Sequence, residues 1–430
     1  MLTPGRISDL LAEARARTLL LVAPVSEQDL RLQHSPLMSP IVWDLGHIAE
    51  FEQLWLVENL HGAGRMGEIE GVYDPFQNPR ATRASLPLPT QAGALARLAG
   101  VREEVLRLLD GLDPSDGNPL LRQGFVFRMV LQHEYQHNET ILQTLQLKLG
   151  EPYRAPLGRT FGRGSGNPSR EMVRFPGGKV TLGSDDRGVS YDNERPAHQL
   201  EVRPFLIARA AVTNADYLGF MQGGGYGDQG LWSEAGWRWR QESDSEHPMH
   251  WFREDGEWRE RFMDRSGPPD PDRPVCHVCF YEAEAFARWA GKRLPTEAEW
   301  EVACSWDPER KVKRLFPWGD DHPTWRHANL DQLGFGTAPV GCFGQNVSPL
   351  GCYGMIGDVW EWTSSDFGPY PGYETFPYRE YSETFFGGGY KVLRGGSWAT
   401  RPGSVRATFR NWDYPIRRQL FAGFRCAQDG

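Results

Sequence analysis

His133-Glu-Tyr-Gln-His137 is the pattern in this sequence with the clearest chemistry. On a helix, a spacing of four puts both imidazoles on one face, about 6 Å apart along the axis at roughly 1.5 Å per residue. Two rings so placed can take adjacent positions on one metal ion. The string also matches H-E-x-x-H, in which two histidines hold zinc and the glutamate is the general base of a peptidase. Such a peptidase needs a third ligand, usually downstream. No H-x-x-G-x-x-H extension follows; the chain continues NETILQTLQLKLGE, with Glu151 the distant acid in reach. A third imidazole stands upstream instead, His47 in Trp43-Asp-Leu-Gly-His47-Ile. Facing helices of a bundle commonly aim metal ligands inward. Three neutral histidines leave the full charge of a dication for anionic ligands and oxygen. That suits Fe(II) with open positions, although the same donors also suit zinc. The bland alternative for each ring is a core histidine with its nitrogens satisfied by hydrogen bonds.

The elements that must position these rings are helices. Residues 6–22 carry Ile7, Leu10, Leu11, Ala14 and Leu19 near helical spacing. Ser39-Pro40 reads as a capping hydroxyl followed by proline at the first helical position, opening a helix through Ile41, Leu45, Ile48 and Leu56. Thr90 caps a third helix with Leu95, Leu98, Val101, Val105 and Leu108. The fourth spans about 118–148 and carries the histidine pair. Four helices with a long connection at about 62–89 predict a four-helix bundle.

Composition then changes. Of 48 glycines 13 fall in residues 1–160, and of 16 tryptophans only two, so the remainder is loop-rich and aromatic. Helices disfavour glycine because it loses the most backbone entropy there. The later residues predict helices only near 280–290 and 296–304, among short apolar runs and turns. The junction Glu151–Arg170, rich in Gly, Pro, Arg and Ser, reads as a linker or extended strap. The expected organisation is a helical domain over residues 1–155 carrying the metal ligands, a linker over 156–172 and a second domain over 173–430.

With those residues in view, SPIVWDLGHI and HEYQHNET followed by a tryptophan-rich domain resemble the ergothioneine-biosynthetic sulfoxide synthases. Further marks are VYDPFQNPRATRASLPLP, DNERPAH, AVTNADY, GKRLPTEAEWE, FPWGD, GDVWEWT, VLRGGSW and FRNWDYPIRRQ, in that order, so the resemblance covers essentially the whole chain. It implies an N-terminal DinB-like four-helix bundle joined to an irregular α+β domain like formylglycine-generating enzyme, a C-type-lectin-like fold. The activity implied is a non-haem Fe(II) oxygenase. It joins sulfur to the imidazole carbon of hercynine, with γ-glutamylcysteine and O2, to give the sulfoxide precursor of ergothioneine.

The resemblance assigns residues one at a time. His47, His133 and His137 match the iron ligands. Tyr378 matches the catalytic tyrosine, a proton or electron donor, with Tyr381 as runner-up. Gln136, Asn411 and Trp412 match hercynine contacts; an indole face and an amide suit a quaternary ammonium and a carboxylate. Arg80 and Arg83 match a pair that clamps the carboxylates of γ-glutamylcysteine, for which guanidinium forks are well shaped. Asp413 matches the acid that receives the donor's amino group. Two positions depart from expectation. Glu50-Phe51 stands where close members often carry glutamines, which implies a reshaped hercynine pocket. Cys276-His-Val-Cys279 lacks the second C-x-x-C of a zinc site and reads as an accident at a strand end.

Several alternatives remain at this level. A selenoneine synthase would use a selenosugar in place of the thiol, with no need of Arg80 and Arg83. A zinc endopeptidase would use Glu134 as base. A lectin-like module would bind a ligand without chemistry. Formylglycine-generating chemistry is disfavoured because Thr400 and Val405 stand about where its copper-binding cysteines fall. A net charge of −9 argues against nucleic-acid or membrane-surface binding, and no apolar run is long enough to span a bilayer. Six cysteines are too few for a disulfide scaffold, and the N-terminus reads as an amphipathic helix rather than a signal peptide, so a cytoplasmic protein is expected; a monomer is the separate expectation for its assembly.

Overall fold

The computed structural model describes residues 3–62, 71–112, 117–162, 164 and 170–430. It divides into two compact units, Met1–Arg154 with Asp186–Val189, and Ala155–Asp185 with Ser190–Gly430. The expected linker, 156–172, and the long connection, 62–89, fall partly outside the described residues.

In the first unit, helix α1 (Pro4–Val22) starts as its sequence dictates, with the Thr3 hydroxyl accepting from Arg6 N and proline at the first position. It buries Ile7, Leu11, Ala14, Thr18 and Leu21, one stripe at helical spacing. After the short α2 (Glu27–Arg31) comes α3 (Ile41–Gln53), which runs through a π-helical turn (Leu54–Glu58) into α4 (Asn59–His61). Helix α5 (Gln91–Leu109) is capped by Thr90 as expected. Helix α6 (Phe125–Gln146) carries the histidine pair. Helix α3 packs on α5 and α6, and α1 packs on α6, so four long helices form the bundle.

Two local expectations need correction. Ser39 does not cap α3; its hydroxyl accepts from Arg83, 2.6 Å away, and Pro40 occupies the cap position. The fourth helix does not run unbroken from 118. A 3-10 turn (Pro119–Gly124) ends in left-handed backbone at Gln123 and Gly124, and the α-helix begins only at Phe125.

The second unit is built from small sheets and short helices. Strands β1 (Met172–Phe175), β4 (Phe205–Ala208) and β14 (Ala427–Asp429) form one sheet in the order β1-β4-β14, and β2 (Gly178–Leu182) pairs with β3 (His198–Val202). Strands β5 (Trp251–Glu254), β6 (Glu257–Phe262) and β7 (Arg265–Gly267) make a meander, and β8 (Trp306–Asp307) pairs with β9 (Val312–Lys313). The sheet that positions candidate site residues has the order β12-β11-β10-β13: β10 (Trp360–Asp366), β11 (Lys391–Arg394), β12 (Asn411–Asp413) and β13 (Ala422–Gly423). Its register sets Val392 opposite Trp412 and Leu393 opposite Asn411. The core gathers Val180, Phe205, Ile207, Trp300, Met355 and Ala407.

The expected helices near 280–290 and 296–304 are α9 (Phe280–Trp289) and α10 (Glu297–Ser305). Two more, α7 (Asn214–Gln222) and α8 (Glu234–Ser243), were not expected. Both are short, and α7 contains Gly219 while α8 contains Gly236, which blurs an apolar period. Their caps carried the signal: Thr213 with Asp216 is a reciprocal capping box, and Ser233 accepts from Gly236 N. The C-x-x-C is also a helix start rather than a strand end. Cys279 N–H donates to Glu282 of α9, and both cysteines are buried and not joined in a disulfide.

Candidate functional site

His47 on α3 meets His133 and His137 on α6. Their donor nitrogens all lie within 4.8 Å of one another, and the Nε2 atoms of His47 and His133 are 3.2 Å apart. Adjacent ligands with bonds of about 2.1 Å stand on the order of 3 Å apart, so this spacing fits one ion. The other nitrogens are anchored. His47 Nδ1 lies 2.8 Å from the Tyr73 carbonyl oxygen, and His137 Nδ1 lies 2.9 Å from Asp44 Oδ1. An acceptor on Nδ1 holds the proton there and leaves the Nε2 lone pair for a metal. Burial, with a smaller contribution from the neighbouring imidazoles, holds His47 and His133 well below the usual histidine range. They are neutral and able to ligate at neutral pH.

Packing fixes the rings further. Trp43 stacks on His47 at 4.8 Å, and Phe51 stacks on His133 at 3.7 Å and 9°. The Phe51 departure is therefore a contact to a candidate ligand. Gly46 is required by close approach, since a Cβ there would lie 2.1 Å from the Tyr73 ring. Displacing Tyr73 would move the carbonyl that anchors His47.

Glu134 is turned to another task. One residue from each long helix, Arg15, Glu52, Arg102 and Glu134, enters a buried ion network. Arg15 Nε donates to Glu134 at 2.9 Å, and Arg15 also holds Glu52 at 2.7 Å. Arg102 Nε donates to Glu52 at 2.6 Å, and the Thr18 hydroxyl donates to Glu134 at 2.7 Å. A carboxylate so committed is not free to serve as the base of a zinc peptidase. Removing one member of a buried pair leaves an uncompensated charge. Glu134→Ala is expected to destabilise the protein by about 3–5 kcal/mol, read as a lower urea midpoint, while metal still loads.

The remaining candidates sort by unit. In the first, Arg83 is 4% exposed; its guanidinium lies 3.5 Å over Trp43 and donates to Asn78 O and Ser39 Oγ. Burial lowers its pKa to about 10, which leaves it cationic at neutral pH. Arg80 is half-buried and makes a longer contact, 3.4 Å, to Leu37 O. Gln136 is half-buried beside His137. In the second, Trp412 stacks on Phe367 at 4.1 Å, with the Tyr381 ring edge-on at 5.8 Å and Tyr378 6.2 Å beyond Tyr381. Asn411 Oδ1 accepts from Trp412 N, and Asp413 pairs with Arg417 at 3.3 Å. Burial, then the nearby Tyr191 and Asp192, pushes the Tyr378 phenol well above its ordinary range, so it stays protonated.

Sequence reasoning missed Asp44 and the Tyr73 carbonyl. Asp44 had a signal: it stands three residues before His47, on the same helical face. A backbone carbonyl has none.

Residues 159–430 match the sulfatase-modifying factor enzyme 1-like domain family, and residues 10–141 match the DinB superfamily. The chain is 46% identical over 435 residues to a hercynine oxygenase of Mycobacterium tuberculosis, with 100% of both chains covered. It is 47% identical over 431 residues to one of Mycolicibacterium thermoresistibile, covering 97% of this chain and 94% of the relative. A formylglycine-generating enzyme of Streptomyces coelicolor is 33% identical over 299 residues, covering 61% of this chain and 90% of the relative. Thr400 and Val405 are buried in the second unit. No helix among the described residues is long and apolar enough to cross a membrane.

Proposed function

The chain belongs to the hercynine oxygenase family of oxidoreductases, and from that premise we propose that it is an Fe(II)-dependent sulfoxide synthase acting on hercynine, γ-glutamylcysteine and O2. The reaction balances without another reductant. One C–H and one S–H are lost, a C–S bond and an S=O bond form, and the second oxygen atom leaves as water. The observation that carries the reading is the three-histidine cluster, with two Nδ1 atoms already committed to Asp44 and Tyr73.

Bound at the three imidazoles, Fe(II) would supply oxygen activation and a position for the thiolate. The protein's own groups do the rest. Asp44 and the Tyr73 carbonyl hold the imidazole protons on Nδ1. Asn411, Trp412 and Gln136 are assigned to hercynine, the indole face to its trimethylammonium group. Arg80 and Arg83 are assigned to the carboxylates of the thiol donor, and Asp413 to its amino group. Tyr378 Oη, protonated across the physiological range, delivers a proton.

The test is anaerobic loading with Fe(II), followed by oxygen uptake with hercynine and each donor in turn. Uptake that requires both hercynine and γ-glutamylcysteine, with sulfoxide as product, is expected. Uptake only with a selenosugar would move the assignment to carbon–selenium bond formation. No uptake with any donor would end the oxygenase reading.

A further inference from the structure

The turn Asp192-Asn193-Glu194 has no part in the roles above, yet each of its residues is 0% exposed. Its groups reach two separate segments of the second unit. The Glu194 carboxylate accepts from Arg406 Nε and from the Thr408 hydroxyl, each at 2.7 Å, and Arg410 donates to Asn193 O at 2.7 Å. Those bonds fix the stretch that runs into Asn411 and Trp412. Asp192 takes the other segment. Its Oδ2 accepts from Tyr373 Oη at 2.9 Å and Phe376 N at 3.3 Å, and its Oδ1 accepts from Ser382 Oγ. Asn193 Nδ2 adds a bond to Ser382 Oγ at 3.0 Å. Tyr378 lies inside the stretch these bonds bracket. Tyr191, just before the turn, stacks on Tyr381 at 4.1 Å, and Tyr381 in turn meets Tyr378 edge-on.

The choice of residue is informative. The donors to Asp192 are two hydroxyls and the backbone amides of Phe376 and Asn193, none of them charged. A buried carboxylate held by neutral donors is costly to folding, and burial raises its pKa despite those bonds. What a carboxylate offers is acceptor capacity on both oxygens with no hydrogen of its own. An amide in its place would set an N–H against one of the hydroxyl donors. Resting on the assignment of Tyr378 as proton donor, we infer that Asp192 is a positioning residue, whose carboxylate ties residues 373–382 into the geometry that holds Tyr378 Oη for proton delivery.

The test compares Asp192→Asn, Tyr378→Phe and the double variant on the Fe(II)-loaded full chain. Iron content, kcat, KM for hercynine and the ratio of sulfoxide to sulfinate are measured; the sulfinate forms when O2 adds both atoms to the donor thiol. Asp192→Asn should retain iron, change KM by less than about threefold and lower sulfoxide turnover about 10- to 100-fold, with the ratio shifted toward sulfinate. Added to Tyr378→Phe, it should change turnover less than about twofold, because both act through one phenol. Equal losses in the two backgrounds, or an unchanged product ratio, would overturn the positioning role while leaving Tyr378 in place. Wild-type behaviour of Tyr378→Phe would overturn both assignments. Should Asp192→Asn not fold, Tyr373→Phe and Ser382→Ala each remove one donor and should give the same shift in ratio at smaller size. A wild-type ratio in both would also overturn the inference.

Discussion

His47→Ala should leave the protein folded and unable to retain iron. The ring stands at the meeting of α3 and α6, and its two nitrogens do separate work: Nδ1 is anchored at Tyr73 O while Nε2 lies 3.2 Å from that of His133. Losing a group that merely orients a ligand costs about 10–100-fold in metal affinity, and losing the ligand itself should cost more. Truncation also removes the stacking partner of Trp43, but it leaves the Arg15–Glu52–Arg102–Glu134 network untouched. Stability should therefore fall far less than in Glu134→Ala. Iron per chain after anaerobic loading and desalting, with a urea melt beside it, gives both quantities. A peptidase built on His133, Glu134 and His137 would instead keep its metal and its activity without His47 and lose its activity without Glu134. Full iron occupancy in His47→Ala would remove the three-histidine centre.

That contrast shows where the sequence was informative. The i, i+4 spacing of His133 and His137 and the inward face of a bundle helix were legible, because helical geometry follows from periodicity. Thr90 was legible as a cap because its hydroxyl needs only a neighbour three residues on. What Glu134 does was not legible. Its partners come from α1 and α5, 119 and 32 residues away, and no local pattern reports them. Ser39 failed for the same reason: a hydroxyl placed to cap a helix was claimed by Arg83 from a distant turn. In the second unit the short strands and the capping boxes of α7 and α10 carried local information, whereas the clasp between Asp192 and residues 373–382 joins segments about 180 residues apart. The family marks placed Asp192 within DNERPAH and gave it no task.

Tyr378→Phe should separate oxygen consumption from sulfoxide formation. The substitution keeps the ring, and with it the edge contact to Tyr381 at 6.2 Å, so hercynine binding should change little. It removes the proton on Oη. Loss of a positioned acid or base typically costs about 10²–10⁴-fold, and a fall of about 100-fold in sulfoxide turnover is expected. Oxygen uptake should persist, because the three histidines proposed to hold iron lie elsewhere in the chain, and the donor thiol should then take both oxygen atoms as sulfinate. The pH profile carries an independent check. A donor must be protonated, and burial together with Tyr191 and Asp192 raises this phenol above its ordinary range. Wild-type turnover should therefore show no loss from phenol ionisation up to about pH 10, the ordinary tyrosine value. An alkaline limb below that pH which disappears in Tyr378→Phe would mean that the phenol ionises early, contrary to its buried setting. Sulfoxide formation at the wild-type rate in Tyr378→Phe would instead assign proton delivery to another group, with Tyr381 the next to replace.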